Sequence, residues 1–241
     1  MTVLYEDNHI IAVNKTCNEI VQGDKTGDTP LSEIVKAYIK VQYNKPGEVF
    51  LGVTHRLDRP TSGVVLFART SKALTRLNEM FREKSQSENG QCTKDDGQCS
   101  KAIKKTYWAI VLGAPKQSEG RLENWLIRNE AQNKSYITKP HANNAKQAIL
   151  SYRTLVRGEN YSLLEINLET GRHHQIRCQL AAIGCPVKGD LKYGAKRSNP
   201  DGGICLHARK IEFIHPVSKQ EICITAPVPD DSLWQQFAAL V

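Results

Sequence analysis

Nine consecutive residues, His55-Arg56-Leu57-Asp58-Arg59-Pro60-Thr61-Ser62-Gly63, set one carboxylate between two guanidinium groups. Pro60 and Gly63 punctuate a turn rather than a regular element. The apolar run before it (49–53) and the one after it (64–68) read as buried strands. An acid held between arginines at a strand-to-strand turn stays ionised and is aimed, which suits a nucleophile or a base. A plain Asp–Arg ion pair in a loop would use the same residue types. The density of special residues in this one turn favours chemistry.

Three further segments carry unusual combinations. They are Lys104-Lys105-Thr106-Tyr107-Trp108, the block Thr170-Gly171-Arg172-His173-His174-Gln175-Ile176-Arg177 running on to Gly189-Asp190 and Tyr193-Gly194, and Leu206-His207-Ala208. Together with the Asp58 turn, and in this order, they resemble the signatures of the RluA-type family of RNA pseudouridine synthases. The resemblance extends from about Val3 to Pro227. It implies an isomerase that breaks the N-glycosidic bond of a uridine, turns the uracil and rejoins it through C5. Such an enzyme must extrude the base from its stack. It needs no donor of electrons or groups, so no cofactor is expected, and no Gly-x-Gly-x-x-Gly, P-loop or zinc spacing is present.

The resemblance assigns Asp58 as the essential aspartate, acting by covalent attack or by removing a ribose proton. It makes Arg177 the arginine that pairs with that aspartate, and Tyr107 the tyrosine that stacks on uracil and assists loss of the C5 proton. Arg56, two residues before Asp58, faces the same side if the backbone is extended. The resemblance gives it the task of replacing the flipped nucleotide. Leu206 is expected beneath the uracil, and Thr61 to fix the turn. Arg59, Arg172 and Lys188 join a phosphate-binding rim with Arg69, Lys72, Lys104, Lys105, Lys192, Lys196 and Arg197. His173 and His174 are neighbours on an expected helix and would not face one site, so no metal is expected.

Composition agrees with an RNA partner. The chain has 241 residues, 40% hydrophobic and 24% charged, with a formal net charge of +8. That charge suits a polyanion, ribosomal or transfer RNA. No run of 18 apolar residues suggests a membrane span. Seven cysteines, scattered and odd in number, read as reduced thiols, and Cys92 and Cys99 lack metal-ligand spacing. A cytoplasmic monomer is expected. Two other readings are weaker. A catalytically idle RNA-binding module would not need Asp58, Tyr107 and Arg177 together. A glycosidase would want a second carboxyl group in the site, and neither Glu169 nor Asp190 supplies it convincingly.

The elements that must position these residues are legible in outline. Residues 3–5 and 10–13 read as a hairpin, and Thr29-Pro30 as the cap and first position of a helix reaching about residue 41. Thr70 can cap a second helix through Leu74, Leu77 and Phe81. Strands are expected at 106–112, 121–127, 148–156, 161–168, 204–214 and 221–225. One helix, about 174–183, is lined by Ile176, Leu180 and Ile183, and a tail helix follows Asp230-Asp231, burying Leu233, Trp234 and Phe237. The polar stretch 85–100 reads as a mobile insertion loop. The class is α+β: a mixed, largely antiparallel sheet with a few covering helices, forming one catalytic domain over 1–241. The family often carries an S4-type domain ahead of its catalytic one. Here the catalytic pattern begins almost at Met1, so none is expected.

Overall fold

The computed structural model describes residues 1–24, 26–86 and 102–241. In chain order its elements are β1 (Thr2–Glu6), β2 (Ile10–Lys15), α1 (Leu31–Gln42), β3 (Gly52–Val53), β4 (Ser62–Ala68), α2 (Ser71–Gln86), β5 (Lys104–Leu112), β6 (Glu119–Asn129), β7 (Lys134–Thr138), β8 (Lys146–Arg157), β9 (Tyr161–Leu168), α3 (Gln175–Ala182), a 3-10 turn at Leu191–Tyr193, β10 (Leu206–Ile214), β11 (Glu221–Thr225) and α4 (Ser232–Ala238). The class is α+β, with mixed, mostly antiparallel strands and, among the described residues, four α-helices. The chain forms two compact units. One is Met1–Ile103 with Lys210–Pro227; the other is Lys104–Arg209 with Val228–Val241.

In the first unit β2 pairs antiparallel with β1 on one side and with β4 on the other. Every residue of β4 is buried, as a continuous apolar run demands. The short β3 pairs with the end of β4. Only Gly52–Val53 is strand, so the run expected from residue 49 is mostly irregular. The expected cap of α1 is also corrected. Pro30 occupies the N-cap position and no side chain caps the helix. The first amides are satisfied instead by backbone carbonyls: Leu31 N–H donates to Ile20 O and Ser32 N–H to Val21 O. Thr70 does cap α2, its hydroxyl accepting from Ala73 N–H at 3.2 Å. The buried face of α2 is Ala73, Leu77 and Met80, with Leu74 and Phe81 at its margin. That helix runs through Ser85 and Gln86, and the rest of the expected 85–100 loop, with Cys92 and Cys99, lies outside the described residues.

The second unit is built on the antiparallel order β5-β9-β8-β6-β7. Strand β7 is an addition to the expected set. On the other edge of β5, Leu112 N–H donates to Pro186 O and Lys188 N–H to Ile110 O, which straps the segment after α3 to the sheet. Helix α3 is buried along Gln175–Leu180 although half of it is polar. Its glutamines explain this. Gln175 Nε2 donates to Ile149 O, and Gln179 Nε2 donates to Leu122 O and Ala148 O, so the buried amide N–H groups are paired with strand carbonyls. Leu126, Ala148, Cys178 and Tyr193 pack together beside Ala181. Ile183, expected on the apolar face, is the C-cap and exposed, because Gly184 at φ +79 has already ended the helix. The tail helix α4 starts at Asp231, whose carboxylate accepts from Leu233 and Trp234 N–H.

Candidate active site

The first unit brings Arg56, Asp58, Arg59 and Thr61 onto one turn. Leu57 is buried, whereas Arg56 is exposed and Asp58 half-buried, so the two polar residues share the outer side as the alternation requires. The turn closes with Thr61 N–H donating to Asp58 O at 3.0 Å, and Asn18 N–H donating to Arg59 O at 3.1 Å. His55 steadies its entry by accepting Leu66 N–H at Nε2, 3.1 Å. Thr61 fixes the turn through its backbone. Its hydroxyl is buried and has no hydrogen-bond partner among the described residues.

Arg59 departs from expectation. Its guanidinium reaches Asp28 Oδ2 at 2.6 Å and Thr26 Oγ1 at 2.7 Å, with Asp24 Oδ2 at 3.4 Å. Its charge is committed to two acids of the 24–28 segment. A residue that sequence reasoning passed over lies inside the turn. Lys15, at the end of β2 and opposite Gly63 in β4, is fully buried, and its ammonium donates to backbone carbonyls of the turn.

The second unit carries Tyr107, Arg172, Arg177, Lys188 and Leu206. Tyr107 is buried on β5 opposite Ile166. Lys105, two residues earlier on the same strand, is half-buried beside Gly171 rather than a rim charge, and burial draws its ammonium down to about 8. Arg177 is buried on α3, Nε and Nη2 donating to Asp190 at 2.6 and 2.9 Å. Its guanidinium also lies over the Tyr193 ring, 5.2 Å from the centroid. Arg172 donates from Nε to Gln147 O at 2.8 Å, and Lys188 to Asn199 Oδ1 at 2.7 Å. Leu206 is buried at the start of β10.

His173 and His174 do not diverge as helical neighbours would. Their rings stack at 3.8 Å, because His174 is the N-cap of α3 in the left-handed region, φ 52°. His174 Nδ1 lies 3.1 Å from Tyr193 Oη, and His173 Nδ1 2.9 Å from Ser135 Oγ. Burial, then the positive charges of Arg177, His173, Lys192 and Arg128, hold His174 down to about 2. The pair is part of a buried polar network, and the described residues contain no cluster of three metal-ligating side chains.

A family model described as RNA pseudouridylate synthase matches residues 9–182. A ribosomal large subunit pseudouridine synthase D of Xylella fastidiosa is 31% identical over 253 residues, covering 100% of this chain and 69% of that protein. An uncharacterised RNA pseudouridine synthase of Mycobacterium bovis is 34% identical, covering 96% of this chain and 70% of its own length. The chain thus spans about two thirds of the length of the curated relatives it matches. Among solved structures, human RNA pseudouridylate synthase domain containing 4 superposes with a TM-score of 0.74 at 21% identity, covering 99% of this chain and 91% of that one, which shows a common fold. The signature turn, the strand and helix that carry Tyr107 and Arg177, and these matches agree: the chain belongs to the RNA pseudouridylate synthase family.

Proposed function

We propose that the protein isomerises uridine to pseudouridine in large-subunit ribosomal RNA, with Asp58 as the catalytic carboxylate. The observation that carries the reading is the Asp58 turn: its backbone is tied down from within while the acid stands on the outer side with Arg56. A carboxylate carried on a fixed turn suits attack on the substrate or abstraction of a ribose proton. Tyr107 is assigned to the uracil and its C5 proton, Arg177 to orienting the site, and Leu206 to the uracil's underside. Arg56 is assigned to the vacated base position. The relatives' names support the ribosomal target, since synthases of Xylella fastidiosa and Vibrio parahaemolyticus are named for the large subunit. The same reading places the protein in the cytoplasm as a monomer. Among the described residues no helix is long and apolar enough to cross a membrane.

The test uses large-subunit rRNA, and separately tRNA, labelled with tritium at uridine C5. Forming the C5 glycosidic bond releases that label to water. Release from rRNA, with the position mapped by a pseudouridine-specific carbodiimide, is expected. Release from tRNA alone would overturn the ribosomal assignment. Tight RNA binding without release from either would favour a catalytically idle module.

A further inference from the structure

Arg59 directly follows Asp58 in the chain, and a guanidinium at that place is a natural ligand for an RNA phosphate. Its donors are already engaged. Nη1 donates to Asp28 Oδ2 at 2.6 Å, and Nη2 donates to Thr26 Oγ1 at 2.7 Å and to Asp24 Oδ2 at 3.4 Å. Hydrogen bonds among the partners aim the acids. Asp24 Oδ1 accepts Thr26 N–H at 2.9 Å while its Oδ2 meets Arg59, and Asp28 Oδ2 lies 3.0 Å from Thr26 Oγ1. The side chains of Arg59, Asp24 and Asp28 are 35%, 44% and 55% exposed. Surface pairs of this kind add little to stability. Two acids set on the one arginine beside Asp58 therefore have a use other than holding the fold.

Two carboxylates face one guanidinium, so the cluster keeps one unit of negative charge. Asp28 holds Arg59 above its ordinary range, and Arg59 in turn holds Asp28 below its own. Thr26, and then Arg59, lower Asp24. All three groups are charged at neutral pH. Without Arg59 the two acids would repel each other and any phosphate brought near them. An RNA phosphate offers one charge where Asp24 and Asp28 together offer two, so the exchange is disfavoured.

We propose that Asp24 and Asp28 withhold Arg59 from the RNA, and so keep affinity at the catalytic turn low enough for the modified strand to leave. The inference rests on RNA as substrate and on Asp58 as the catalytic acid. Isomerising the base leaves the phosphodiester unchanged. An arginine clamped on a phosphate beside the reacting nucleotide would hold product as firmly as substrate, with no gain in the chemical step.

Filter binding across a salt series compares wild type, Asp24→Asn/Asp28→Asn, Arg59→Ala and the triple variant that combines them. Asparagine keeps the side-chain shape and removes the charge. The double variant is expected to gain one phosphate contact. Its log–log slope should steepen by about 0.7 to 0.9, its affinity at low salt should rise about tenfold, and product RNA should dissociate more slowly. Arg59→Ala should stay close to wild type, and the triple variant should match it. An unchanged slope or unchanged product dissociation in the double variant would overturn the proposal. So would a gain that persists in the triple variant, which would assign the effect to lost repulsion alone. If the double variant does not fold, Asp28→Asn, which removes the charge from the shortest contact, carries the same test with the same outcomes. A flat salt response in wild type, or an Asp58→Asn variant that still turns over, would defeat the underlying reading instead, so the failures are distinguishable.

Discussion

Asp190 receives the guanidinium of Arg177 through two bonds, Nε to Oδ2 at 2.6 Å and Nη2 to Oδ1 at 2.9 Å, with side chains 1% and 6% exposed. This fork-to-fork geometry is the strong form of the Arg–carboxylate pair. It ties α3 to the loop that follows, in which Tyr193 and Ala195 N–H both donate to Asp190 O. The pair fixes the orientation of Arg177, because a planar group gripped along one edge cannot rotate.

Removing one member of a buried, doubly hydrogen-bonded ion pair is costly. Asp190→Ala is expected to cost about 3–5 kcal/mol of stability, and Arg177→Met a comparable amount. The double replacement Arg177→Met/Asp190→Leu is expected to cost less than the two single losses added, since the two side chains are directly bonded and the loss of their shared interaction is counted twice in the sum. Urea unfolding of the three variants measures this. Additive losses would show that the two side chains do not act as a pair.

Asp58→Asn is expected to abolish tritium release while RNA binding stays within about threefold, because phosphate contacts elsewhere supply the affinity. The substitution keeps the side-chain shape and the backbone carbonyls that Lys15 holds. Loss of turnover can then be assigned to the acid itself. Turnover within about tenfold of wild type would remove Asp58 from the chemistry.

Much of this was legible because it is local. The apolar run of β4, the hydroxyl of Thr70 before α2 and the acid of Asp231 before α4 are read from a few adjacent residues. What escaped depends on distant partners. Lys15 looks like a surface lysine at the end of a strand, and its acceptors lie up to 46 residues further on. Thr29 was a sound cap by residue type, but carbonyls of Ile20 and Val21 already served the first amides of α1. Strand β7, Lys134-Ser135-Tyr136-Ile137-Thr138, lacks an alternating pattern because it is a short edge with two adjacent exposed apolar residues. The stacked His173 and His174 required a left-handed residue that helical periodicity does not foresee.

Tyr107→Phe separates stacking from proton transfer. The ring, buried on β5, stays in place while the phenol oxygen is lost. Binding and glycosidic cleavage are expected to persist, with C5 deprotonation slowed. Rapid-quench analysis should detect an intermediate with a broken glycosidic bond ahead of product. Unchanged rates at every step would assign Tyr107 to packing alone.

His174 makes stability fall in acid. Its ordinary pKa near 6.5 is drawn down to about 2 in the folded chain, first by burial and then by the positive charge of Arg177. Between those values the unfolded chain takes up a proton that the folded one refuses. The folded state therefore loses stability as pH falls below about 6.5. His174→Asn is expected to flatten this slope, since asparagine carries no charge and tolerates the left-handed backbone at φ 52°. Melting temperatures at pH 7 and pH 5 measure it, and an equal drop in both proteins would place the acid sensitivity elsewhere.

RNA affinity is expected to fall steeply with salt. The formal charge of +8 and the basic residues along the signature segments imply several phosphate contacts. Neutralising Z phosphates gives a log–log slope of about −0.7Z for single strands and about −0.9Z for duplex, so affinity drops by orders of magnitude across ordinary salt concentrations. Arg59 and Arg172 provide an internal contrast. Arg59 is gripped by Asp24 and Asp28, so Arg59→Ala should change the slope little. Arg172 lies in the Thr170–Arg177 signature segment and donates from Nε to a backbone carbonyl, Gln147 O, so Arg172→Ala should reduce the slope by about one. Filter binding at several salt concentrations, repeated with EDTA and with a magnesium control for RNA folding, reads both effects. A flat response to salt would point to a partner other than RNA, and activity lost to EDTA but restored by zinc would overturn the cofactor-free chemistry.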